Sequence, residues 1–203
     1  MPRAEFDPAE MKPRAFYKLM TASVVPRPIA WVSSLSADGV PNLAPHSFFT
    51  VSCVDPPVLQ FTSVGRKDSL RNVEATGEFV INVCPESLFE KVNGTATNFP
   101  GEIDEFEALG LEPEPSARVR PARVAASPVA FECELLDTRS FGDSTVVFGR
   151  AVFAVVEREA LDGDLPSIDA LRPLARLGRN QWSTIGEVLK INRIPYEEWE
   201  ESE

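Results

Sequence analysis

Apolar positions along this chain fall mostly into short runs of β-branched and aromatic residues cut by turn residues, and few stretches hold a helical period. Ile29 to Leu35 reads as a strand, Ser36-Ala37-Asp38-Gly39 as a hairpin turn, and Val40 to Cys53 as the return strand. Pro45 interrupts that return strand, where it demands an edge position or a bulge. Asp55-Pro56-Pro57 stops it, and Val58 to Ser63 is the next strand. Lys67 to Ala75 carries Leu70 and Val73 at helical spacing, with Asp68 as candidate N-cap and Gly77 as the stop. Glu78 to Cys84 is a nearly continuous apolar run, the pattern of a strand buried on both faces. Glu86 to Val92 predicts a second short helix, and Phe16 to Met20 a helical turn or a staple onto the body.

Further on, residues 93–127 are rich in Gly, Pro and Glu and predict an excursion over the surface, with helical turns around Asp104 to Leu111. Val129 to Leu136 and Ser144 to Val156 are long strands, joined by a hairpin at Ser140-Phe141-Gly142-Asp143. At least six strands in mostly adjacent order, with short helices between them, predict a mainly β fold: a closed or nearly closed antiparallel barrel. No repeat or low-complexity linker divides the chain, so residues 1–203 are expected to form one domain. Residues 1–15 read as an N-terminal arm and residues 196–203 as an acidic C-terminal tail.

Composition narrows the function. The 18 prolines suit strand ends and turns better than long helices. A net charge of −11 repels nucleic acid and anionic membranes. No apolar run is long enough to cross a bilayer, and the first residues lack the apolar core of a signal peptide, so the expected location is cytoplasmic. Cys53, Cys84 and Cys133 are odd in number, contain no CxxC pair and are expected to be buried free thiols. His46 is the single histidine, and HExxH, GxSxG, GxGxxG and P-loop motifs are all missing. Metal-assisted hydrolysis, triad catalysis and Rossmann-type nucleotide binding therefore have no support.

Three segments carry candidate chemistry. Gly65-Arg66-Lys67-Asp68-Ser69 opens a helix with two cations and a hydroxyl, the donor set that a phosphate wants. The same residues would also make an ordinary surface helix start. Ala44-Pro45-His46-Ser47-Phe48-Phe49-Thr50 offers small groups, hydroxyls and aromatics to a flat ring. Alternation sends Phe48 and Phe49 to opposite faces, so one of them belongs to the core or an interface. His46 reads equally as a donor at a ligand edge or as a half-exposed strand residue. Asn180 and Trp182, beside Arg176 and Arg179, form a third cluster that would cover a ligand or anchor a loop. Trp31 reads as core.

Taken in order, Tyr17 to Met20, Pro26 to Ser33, Asp38-Gly39, Asn42 to Phe49, Asp55-Pro56-Pro57, Lys67-Asp68-Ser69 with Asn72, Gly77 to Asn82, Asp104-Glu105-Phe106 and Glu132-Cys133 resemble the flavin reductase-like, FMN-binding split-barrel family. That family includes flavoredoxin and the reductase components of two-component monooxygenases. The resemblance covers about residues 16–156. It implies an antiparallel split β-barrel that binds FMN non-covalently, with FAD as an alternative, in a homodimer whose partner helps wall the site. It also implies that Pro45, His46, Ser47, Phe48, Phe49 and Thr50 run along the ring, and that Ser63, Gly65, Arg66, Lys67, Asp68 and Ser69 hold the phosphate. Ser69 stands where the family often has threonine. The C-terminal third departs more, which leaves Asn180 and Trp182 as weaker members of the site. The implied activity is oxidoreduction: hydride passes from NAD(P)H to the flavin, with no side-chain acid or base required, and a monooxygenase is the candidate downstream partner. A non-catalytic FMN-binding redox carrier is the alternative. A haem-binding barrel, in which His46 would supply the imidazole, is a more distant one.

Overall fold

The structure, a computed structural model, describes residues 1–200. One antiparallel sheet is built from β1 (Ala30–Leu35), β2 (Pro41–His46), β3 (Phe49–Cys53), β4 (Val58–Val64), β5 (Glu78–Val83), β6 (Val129–Phe141) and β7 (Ser144–Val156). The spatial order is β2-β1-β5-β6-β7-β4-β3. The two edge strands are thus consecutive in the chain and joined only by Ser47 and Phe48. The sheet rolls until these edges approach, and His46 at the end of β2 reaches across to β4. Its ring lies 4.7 Å from that of Phe61, and it hydrogen-bonds the Thr62 backbone. This is a split β-barrel, as the sequence predicts.

The barrel interior holds Val32, Phe61, Phe79, Ile81 and Val147, and α2 (Asp68–Thr76) adds Leu70 and Val73. Gly149 of β7 makes room for Phe79: a Cβ there would lie 2.9 Å from Phe79 Cε1 and 3.2 Å from Cys133 Cβ. β5 is buried on both faces, as its apolar run implies. Outside the barrel, Trp31 and Leu43 are covered by Val92 of α3 (Phe89–Gly94), Phe106 of α4 (Glu105–Ala108), Leu111 and Val124.

Several expectations need correction. Residues 93–127 do not merely skirt the surface. Phe106, Leu111, Val119 and Val124 are buried in the layer outside the barrel, each worth about 1.5–3 kcal/mol of apolar burial. The fully buried Glu132 pins this layer: it accepts from the Ala117 N–H at 2.8 Å and the Arg118 N–H at 2.6 Å, and pairs with Arg123 at 2.9 Å. Scattered Gly and Pro hid an apolar set too widely spaced to show a period. The long return strand breaks at Ser47–Phe48 rather than at Pro45, which pairs with Trp31 inside the edge strand β2. The N-cap of α2 is Lys67, without a side-chain cap; Asp68 is the first helical residue and pairs with Arg71. Gly77, at φ +74°, closes that helix as expected. The turn at Phe16 to Met20 is part of a longer helix, α1 (Pro13–Ser23). Glu86 to Val92 divides into a short 3₁₀ turn, Glu86–Leu88, and α3.

Cys84 and Cys133 are buried free thiols, but Cys53 is exposed, because β3 is covered on neither face beyond Phe49. Within the acidic tail, Tyr196–Glu200 is helical; Glu201, Ser202 and Glu203 lie outside the described residues. Among the described residues, no helix is long and apolar enough to cross a membrane.

Candidate functional site

Where the two sheet edges meet, Pro45, His46, Ser47 and Phe48 come together with the start of α2. Two recesses join there. One, of about 250 Å³, runs along Asn42, Pro45 and His46, beneath Arg66 to Ser69, to the loop Thr95 to Phe99. The other, of about 180 Å³, continues past Ser47 and Phe48 to Thr62, Val64 and Tyr17. Pro45, His46 and Lys67 line both, so they form one groove.

The phosphate-like corner is built by α2. The first N–H groups of a helix have no partners within it, and the helix dipole adds positive character. Arg66 is paired with Glu74 at 2.7 Å, and Arg71 with Asp68. Lys67 is exposed and makes no ion pair among the described residues, so its charge is free. Glu105 lines the same recess, but its Oε2 accepts from the Leu43 N–H at 2.9 Å. Burial pushes the Glu105 carboxyl up, against that bond, and Asp104 and Asp68 push it further up.

Ser69 is buried and already engaged. The Asn42 amide donates to its Oγ at 3.2 Å, and its Oγ lies 3.1 Å from His46 Nε2. The contact between His46 and the Thr62 backbone raises the imidazole pKa. Burial first, and the Lys67 charge second, hold His46 down to about 4, so the ring is neutral at ordinary pH. His46 is neither a half-exposed residue nor a free donor; it is the clasp of the barrel seam.

Not every sequence-predicted residue lines the groove. Phe49 turns into the barrel core, as alternation requires once Phe48 faces the groove. Thr50 is exposed on β3, and its hydroxyl donates to the Val51 carbonyl at 3.4 Å. Ser63 is buried and donates to the Gly65 carbonyl at 2.8 Å, shaping the loop in which Gly65 takes φ +79°. Ser63 and Gly65 therefore act on the corner through the backbone. Trp182 stacks on Arg176 at 4.5 Å and lines a neighbouring recess of about 220 Å³ with Pro45 and Ser47. Asn180 is exposed and lines none of these recesses.

The structure adds residues that sequence reasoning gave no role. Tyr17 of α1 meets Phe48 edge-on at 6.2 Å, and Arg27 Cζ lies 5.9 Å from the centroid of the same Phe48 ring. The Arg27 guanidinium donates to the Thr21, Val24 and Leu177 carbonyls and so ties α1 to the body. Thr95 is fixed by a 2.8 Å bond from Trp31 Nε1, which holds the loop Thr95 to Phe99 over the groove. Tyr17 and Arg27 stand in segments that carry the resemblance; Thr95 does not.

Residues 21–175 match the model of the flavin reductase like domain. An uncharacterised protein of Aquifex aeolicus is 43% identical over 180 residues, covering 86% of this chain and 92% of that protein. Nitrilotriacetate monooxygenase component B from Bacillus cereus superposes with a TM-score of 0.89 at 29% identity, over 94% of this chain and 100% of its own. Pseudomonas fluorescens 2-nitrobenzoate 2-nitroreductase does so with a TM-score of 0.88 at 29% identity, over 95% and 98%.

Proposed function

Because this chain belongs to the flavin reductase-like family, we propose that its groove holds FMN and that the protein is an NAD(P)H:flavin oxidoreductase. The observation that carries this reading is the groove itself: it runs from a wall holding Tyr17 and Phe48 to a helix start where one cation, Lys67, is left without an ion-pair partner among the described residues. Lys67 and the first N–H groups of α2 would hold the phosphate. Pro45, His46, Ser47 and Phe48 would wall the ring, and Tyr17 and Trp182 would close its flanks. The residues fit the group, since every acid lining the phosphate corner is already bonded within the protein.

Bound FMN supplies a two-electron acceptor for hydride from a reduced nicotinamide. The chain contributes position and electrostatics. Neutral His46 adds no charge beside the ring. The Phe48–Tyr17 contact lines the end of the groove. FAD is the alternative flavin. Reduced flavin would pass to a monooxygenase, in line with the Bacillus cereus neighbour being component B of one, and a homodimer would cover the exposed β3 edge.

Two measurements test this. Purified protein titrated with FMN should show a perturbed visible spectrum at micromolar concentration; a colourless protein that leaves added FMN unperturbed would end the proposal. Steady-state NAD(P)H oxidation above the free-flavin rate then separates a reductase from a non-catalytic carrier.

A further inference from the structure

Beyond Tyr17 the groove adjoins a further recess of about 480 Å³ that the flavin reading leaves unused. One wall is α1, through Arg14, Tyr17 and Lys18; Val64 forms its inner end, and Asp143 and Ser144 at the β6–β7 turn stand opposite. Tyr17 and Val64 also line the flavin groove, so the two spaces are continuous. Apolar surface dominates the recess, which suits a heterocyclic base or a ribose face.

Arg14 and Lys18 stand one helical turn apart and therefore on one face of α1. Neither forms an ion pair among the described residues. Arg66, Arg71, Arg120, Arg123, Arg139, Arg150 and Arg172, by contrast, all have carboxylate partners. In a chain of net charge −11, unpaired cations gathered on the wall of an apolar recess draw an anion to that place. The opposing carboxylate is Asp143. Its Oδ1 accepts from Ser144 Oγ at 2.9 Å, and its carbonyl accepts from the Gly65 N–H at 2.8 Å. Its charge would press an anion toward the α1 side.

We propose that Arg14 and Lys18 hold the pyrophosphate of the nicotinamide dinucleotide, whose reduced ring reaches the flavin groove past Tyr17 and Val64. This rests on the flavin reading and adds the subsite of its second substrate. Both cations are exposed and outside the flavin corner, so they can be changed without disturbing it.

The test is the double variant Arg14→Gln/Lys18→Gln, with Arg14→Glu/Lys18→Glu as the stronger form and thermal melts as the folding control. FMN affinity should stay within about twofold, because no changed group touches that corner. Calorimetric binding of NAD⁺ to the FMN-loaded protein should weaken at least about tenfold, and the KM for NADH and NADPH should rise by similar factors. Added salt should weaken NAD⁺ binding to the parent protein more than to the variant. Unchanged NAD⁺ affinity and KM with FMN still bound would overturn this subsite alone. An effect confined to NADPH would also overturn it, by moving the contact to the 2′-phosphate. A parent protein that binds no FMN would instead bring down the flavin reading on which the subsite rests.

Discussion

His46→Gln gives the sharpest test of the seam, because the chain has one histidine. In the folded protein, burial and then the Lys67 charge lower the imidazole to about 4 from its ordinary 6.5. The bond to the Thr62 backbone only partly offsets this. Between those two values the unfolded chain binds a proton that the folded chain does not. Stability from this group is therefore fully present above about pH 6.5, falls as the pH drops, and is gone near pH 4. The gap corresponds to about 3 kcal/mol across the window, of which about 2 kcal/mol is lost by pH 5. Glutamine keeps an amide donor and a carbonyl acceptor but does not titrate. Urea unfolding followed by tryptophan fluorescence should show the parent losing about 2 kcal/mol more than His46→Gln between pH 7 and pH 5. The single imidazole Cε1–H resonance should also hold its neutral shift down to about pH 5. Equal pH dependence in the two proteins, or an imidazole titrating near 6.5, would refute the buried, neutral clasp.

Lys67→Ala should weaken FMN binding by about 1–3 kcal/mol, through loss of one charge-assisted contact, in a fluorescence titration; an unchanged dissociation constant removes Lys67 from the site. Gly149→Ala should overpack the barrel against Phe79 and destabilise it by about 1–3 kcal/mol in chemical denaturation. Phe79→Leu should recover part of that loss, and additivity of the two changes would contradict the contact. Glu132→Ala should cost about 3 kcal/mol or more in thermal unfolding, since it leaves two backbone N–H groups and Arg123 without their buried acceptor. A melting point within about a degree of the parent's would show that the outer layer does not depend on it.

The barrel was legible because its signals are local. Trp31, Val32, Phe79 and Ile81 sit in β-branched and aromatic runs bounded by turn residues, and Gly39, Gly77 and Gly142 take the positive φ that their turns or caps require. The phosphate-like corner was legible for the same reason, since Lys67, Asp68 and Ser69 are contiguous. What escaped depends on contacts far apart in sequence. Thr95 enters the groove because Trp31 holds it from 64 residues away, and Glu105 because it caps Leu43 from 62 away. Ser69 is likewise tied to His46 and Asn42, contacts that its place beside Lys67 and Asp68 in the sequence does not show.

The edge strand β2 ties fold and site together. The Leu43 N–H points away from β1, since it donates to Glu105. By alternation, residues 41 and 45 also point away from β1, and both are proline. The three outward donor positions of this edge are thus two that carry no N–H and one that is capped. No further strand can add there, which removes the pairing hazard of an open edge. The same arrangement limits what the strand can offer a ligand. The N–H groups of Ala44 and His46 face β1, so free backbone donors beside the groove begin only at Ser47, where the chain leaves β2 for the opposite edge. The backbone donors that this edge offers a bound ring are therefore those of Ser47 and Phe48, the two residues that also make the barrel split.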